Sequence, residues 1–120
     1  MPQQVELQSQ FSDIAVLGII GTVSATITAA GTSGATATAI SATNNTVTTA
    51  TFGQGVILPA GRANGDTINI TNNTTTNICI YPPSGGKLNG GTANVPLLQG
   101  AGRMNSFQCL NGTDWTVDSQ

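Results

Sequence analysis

A chain of 120 residues with three basic side chains, five acidic ones and no histidine carries a net charge of −2. It has the length of one domain, and Arg62, Lys87 and Arg103 supply too little positive charge to grip a nucleic-acid backbone or an anionic membrane surface. Charged residues make up 7% of the chain, where about a quarter is usual, so its surface must be built from neutral polar groups. Nineteen Thr and 11 Asn provide them: Thr favours pleated strands, while Asn and Gly favour turns.

Residues 1–12 are polar, with Val5, Leu7 and Phe11 set among Gln, and read as an extended N-terminal arm ahead of a single β domain over 13–120. Ile14 to Ile20 is the longest apolar run. Seven residues are too few to span a bilayer, and no basic residue precedes them as a signal peptide requires. From Asp13 to Thr51 the chain is Ala, Thr, Ile, Val, Gly and Ser with no further charge. The density of Thr and Gly argues against helix, and strands are expected at about 14–29, 35–42 and 46–52. Val56-Ile57-Leu58 stops at Pro59. Asn64-Gly65 is a type I′ turn signal, followed by strict alternation in Thr67-Ile68-Asn69-Ile70-Thr71. Asn77 to Tyr81 alternates again and must end at Pro82-Pro83, which cannot donate to a ladder. The short loop between these two strands predicts an antiparallel hairpin with its four isoleucines on one face. A loop at 84–94 containing Asn89-Gly90, a short apolar segment at 95–98, and a hairpin of 104–110 with 114–117 around Asn111-Gly112 complete the chain. About eight short strands at this spacing predict an all-β, antiparallel sandwich or jelly-roll-like domain.

Chemistry is sparse. General acid–base work most often uses His, and the chain has none. Asp114 and Asp118 are the one carboxylate pair close in sequence, and they read as solvated turn and terminal residues. Cys79 and Cys109 could form a disulfide, but two reduced thiols in a β core is the better reading. No Cys-x-x-Cys pair suggests a metal site. Ser84 to Gly91 is glycine-rich but lacks the Gly-x4-Gly-Lys-Ser/Thr spacing of a phosphate loop. No catalytic residue, cofactor or metal is therefore expected. Five Asn-x-Thr sequons, at Asn44, Asn69, Asn72, Asn73 and Asn111, follow from composition. Thr26-x-Thr28, Thr36-x-Thr38 and Thr46-x-Thr48 recur ten residues apart. Such ranks resemble ice-binding faces of β-solenoids, a remote alternative because the repeat stops after its third copy.

The second half resembles a β module of tailed-bacteriophage structural proteins. The similarity rests on Leu58-Pro59-Ala60-Gly61, Gly65 to Asn72, Ile80 to Gly86, Leu88-Asn89-Gly90, Phe107-x-Cys109 and Asn111-Gly112-Thr113-x-Trp115, over residues 58–117. In phages such modules belong to head decoration (cement) proteins and to tail or fibre proteins. The resemblance implies a non-enzymatic virion protein that self-associates, as a homotrimer in the decoration class, on the major capsid protein. One short domain without a long repetitive shaft favours decoration of the capsid surface over a tail, fibre or carbohydrate-binding adhesion module. The arm residues Gln3, Gln4, Val5, Leu7 and Phe11 are the expected contacts with the shell or a neighbouring subunit.

Overall fold

The computed structural model describes residues 24–118. These residues form nine short strands and no helix: β1 Ser24–Thr28, β2 Thr38–Ala39, β3 Asn44–Thr49, β4 Gly55–Ile57, β5 Thr67–Asn72, β6 Ile78–Tyr81, β7 Leu97–Gln99, β8 Met104–Cys109 and β9 Trp115–Asp118. They make two sheets, one of five strands in the order β1-β3-β5-β8-β9 and one of four in the order β2-β4-β6-β7. The first six strands alternate between the sheets, and the first four each pair in parallel with the strand two places on: β1 with β3, β3 with β5, β2 with β4 and β4 with β6. The chain therefore winds as a coil, one strand per sheet per turn. Only the last three strands run antiparallel, β7 against β6, β8 against β5 and β9 against β8.

The all-β class holds, but the expected purely antiparallel pairing does not. The predicted hairpin of 67–71 with 76–81 is the main correction. β5 lies between β3 and β8, while β6 lies between β4 and β7 in the other sheet. Ile68, Ile70, Ile78 and Ile80 are all fully buried. They come from both layers into one core instead of sharing one sheet face. Val47, Val56, Leu58, Phe107, Cys109 and Trp115 complete that core. Each large apolar side chain buried this way contributes roughly 1.5–3 kcal/mol. The hairpin of β8 and β9 forms as expected, with Cys109 opposite Trp115. The first expected strand is seen as β1, and its residues 14–23 lie outside the described region.

The corners between the sheets are held by short side chains, which is where the Thr and Asn go. At the first, the Thr36 hydroxyl accepts from the amides of Thr32 and Ser33 (3.2 and 3.3 Å). At the second, the Gln54 side chain accepts from Thr51 N–H (2.8 Å). At the third, Asn72, fully buried, donates through Nδ2 to the carbonyls of Thr76, Gln99 and Gly100 (2.8, 3.1 and 3.1 Å). Its Oδ1 accepts from the amide and hydroxyl of Thr74 (3.1 and 2.6 Å). An amide can satisfy a corner in this way because it carries two donors and an acceptor on a short stem.

Of the three Asn-Gly turns, Asn89-Gly90 alone has both residues at positive φ (52° and 72°), and Gly91 N–H closes it on the Leu88 carbonyl (3.0 Å). That is type I′ geometry. At Asn64-Gly65 the glycine alone is left-handed (φ 91°), so the expected type I′ turn is not formed there.

Candidate functional site

The described charged residues are placed almost entirely off the sheets. Arg62, Asp66, Lys87, Arg103 and Asp114 all lie outside the strands, and Asp118 is the last residue of β9. Arg62 and Asp66 approach to 3.8 Å. The Arg62 Nη2 also donates to the Ser41 carbonyl, tying the loop after β4 to the connection between β2 and β3. Asp114 accepts from the amide of Lys87 (3.0 Å) and from Asn111 Nδ2 (3.1 Å). It is a carboxylate engaged in shaping loops, whereas Asp118 ends β9 opposite Ser106.

What remains on the outward side of the five-stranded sheet is a field of hydroxyls and amides. Register alignment places Ser24, Asn44, Asn69, Ser106 and Asp118 in one row across all five strands. Hydrogen bonds run along its middle: Asn69 Nδ2 donates to Asn44 Oδ1 (2.9 Å) and Ser106 Oγ donates to Asn69 Oδ1 (2.7 Å). A neighbouring row holds Thr26, Thr46, Thr71 and then Met104. Near β8 and β9 the face dips into a recess of about 310 Å³ lined in part by Thr67, Ser106, Gln108, Thr116 and Asp118.

The ten-residue Thr-x-Thr spacing corresponds to half a turn of the coil. β1 is offset from β3 by 20 residues (Ser24 to Asn44) and β3 from β5 by 25 (Asn44 to Asn69). Thr38 accordingly belongs to the opposite sheet, where its hydroxyl donates to the Thr28 carbonyl (2.6 Å). Thr26 and Thr46 are stacked neighbours, but a register shift after Ile27 sets Thr28 against Thr49. One threonine row of three is formed, and the second is broken at the bulge.

The outward side of the four-stranded sheet has a different chemistry. Ala39, Ile57 and Tyr81 are aligned in one row, and Gly55, Cys79 and Leu98 in the next. Leu98 is 60% exposed. Gly55 is required by close approach, since a Cβ there would collide with the Cys79 carbonyl. Both cysteines are free thiols. Cys79 sits on this outward face beside Tyr81, whereas Cys109 points into the core, where its sulfur accepts from Gly112 N–H (3.1 Å). Burial, and secondarily the neighbouring Cys79, pushes the Tyr81 phenol above its ordinary value of 10.0.

Gln3, Gln4, Val5, Leu7 and Phe11, the expected contact residues, lie outside the described region. The sheet faces were the feature that sequence reading missed. Their signal was present in the outward positions of the alternating strands, but assigning them to a shared face requires knowing which strands are neighbours. No group of three or more His, Cys, Asp or Glu able to hold a metal occurs among the described residues. No protein-family model, curated protein or solved structure matches the chain.

Proposed function

We propose that this chain is a non-enzymatic structural protein of a bacteriophage particle, a decoration (cement) protein that self-associates, as a trimer, and braces the major capsid shell. One observation carries this reading: the outward face of the five-stranded sheet offers hydroxyls and amides with Met104 among them and, among the described residues, a single charge, Asp118, at its margin. Laying charged groups against another protein costs desolvation free energy that neutral hydrogen-bonding groups largely avoid. A broad face of Thr, Asn, Ser and Gln therefore suits a permanent contact. The similarity of residues 58–117 to phage virion modules and the near-absence of charge, which weakens repulsion between copies, support the same reading.

Analytical ultracentrifugation tests the assembly part. A trimer is expected, and a stable monomer at high micromolar concentration would overturn it. Deleting residues 1–12 should abolish co-sedimentation with capsids while leaving Trp115 emission and the thermal transition unchanged. Capsid binding that survives the deletion would remove the arm from the contact.

A second reading, a tail or fibre part, is favoured by the parallel coil, because coils of this kind stacked end to end would build the repetitive shaft of a fibre. Gene order distinguishes the two, with capsid genes alongside supporting decoration and tail genes supporting the fibre.

A further inference from the structure

We infer that a cleft beside the four-stranded sheet binds a neutral hexose unit. The cleft lies on the opposite side of the core from the hydroxyl-rich face, so the inference does not depend on what that face contacts. It has a volume of about 380 Å³ and is lined by Gly34, Ala35, Ile57, Tyr81, Pro82, Ser84 and Asn94, within the range of small-ligand sites.

Three features of the cleft define its ligand. The first is its apolar floor. Gly34 has no side chain, and a carbon placed at its Cβ position would lie 3.6 Å from Tyr81 Cδ1 and 3.8 Å from Tyr81 Cγ. That is van der Waals contact with the ring, so a ligand C–H group seated beside Gly34 would meet the part of Tyr81, 7% exposed overall, that opens on the cleft. Ile57 and Pro82 extend this floor. The second feature is a fixed amide at the rim. Asn94 is held at φ 66° by two bonds: its N–H donates to the Gly86 carbonyl (2.8 Å), and its Oδ1 accepts from Gly85 N–H (2.6 Å). With Oδ1 engaged, Nδ2 remains to donate to a ligand oxygen, and its orientation is set before binding, which lowers the ordering cost of association. Ser84 also lines the cleft, and a hydroxyl can both donate and accept. The third is charge: none of the seven lining residues is ionised at neutral pH. A ligand with an apolar C–H face, hydroxyls at its edge and no charge meets all three requirements, and a neutral pyranose has this constitution.

The test is a two-dimensional NMR titration of the full chain with the methyl glycosides of glucose, galactose and N-acetylglucosamine, with glucuronate as the charged control. Saturable shifts are expected for the amides of Gly34, Ala35, Ser84 and Gly85 with at least one neutral sugar. Gly34→Leu fills the cleft without demanding a left-handed backbone and should abolish them. Asn94→Gly keeps the positive φ, removes the amide and should weaken binding about three- to tenfold, the effect of one hydrogen bond. If Gly34→Leu fails to fold, judged by Trp115 emission, Asn94→Gly alone decides. No saturable shift with any of the three neutral sugars, an equal response to glucuronate, or unchanged affinity in the folded variants would overturn the assignment.

Discussion

Replacing Asn72 by Ala tests the corner between β5 and β6. Asn72 is the last residue of β5, fully buried, and its side chain reaches the carbonyls of Thr76, Gln99 and Gly100 and the amide and hydroxyl of Thr74. Two Nδ2 protons and two Oδ1 lone pairs amount to about four full hydrogen bonds. At about 0.5–1.5 kcal/mol each, their loss is worth roughly 2–6 kcal/mol. Water entering at the half-buried Thr74 and Thr76 recovers part of it, which places the expected loss at about 3 kcal/mol. This is a large share of the roughly 5–15 kcal/mol that holds a domain together. Urea unfolding read by fluorescence of Trp115, which is the sole tryptophan and fully buried, measures it directly. The midpoint should fall with the slope unchanged, and Tm should drop by roughly 10–15 °C. Asn73→Ala, next door on an exposed side chain, is the control and should change stability by less than about 0.5 kcal/mol. An Asn72→Ala loss below about 1 kcal/mol, or one matched by Asn73→Ala, would show that this amide does not hold the corner between the two sheets.

Other outcomes follow from individual positions. A Cβ at Gly86 would collide with the carbonyl oxygen of Thr113, a backbone atom that cannot swing aside. Gly86→Ala should therefore cost about 2 kcal/mol or more in the same urea assay, and wild-type stability would refute the close approach. The sole tyrosine, Tyr81, should deprotonate above its ordinary value of 10.0 in ultraviolet titration. An acid whose folded pKa is raised gives stability that is complete below the unfolded value and fades as pH rises through the folded one. Stability should thus begin to fall above about pH 10, and Tyr81→Phe should remove that contribution. Cys79 is half-buried and Cys109 fully buried, so a thiol reagent should label one cysteine rapidly in the native protein and the second only on unfolding. Two equally fast thiols would contradict the placement of Cys109 in the core.

Much of this molecule was legible in the residues themselves. Period-two alternation set Ile68, Ile70, Ile78 and Ile80 on the apolar side of their strands, and all four are fully buried. Pro82-Pro83 ended β6, and Asn111-Gly112 marked the β8–β9 hairpin. The scarcity of charge forecast surfaces of hydroxyls and amides. Apart from that hairpin, which strand lies beside which was decided only by the tertiary structure. Alternation in 67–71 and again in 78–81 is the same pattern whether the two segments pair side by side or face each other across a core, and the intervening loop suits either. The difference lies in Asn72. As a β5 residue it belongs to an inward position, and its amide finds carbonyls at Thr76 and, 27 and 28 residues away, at Gln99 and Gly100. Burying that amide without partners would be costly. The chain turns into the second sheet where those partners exist, and no pattern local to β5 and β6 contains them. The parallel coil, the two outward faces of different chemistry and the half-turn meaning of the threonine spacing all follow from that choice of neighbours.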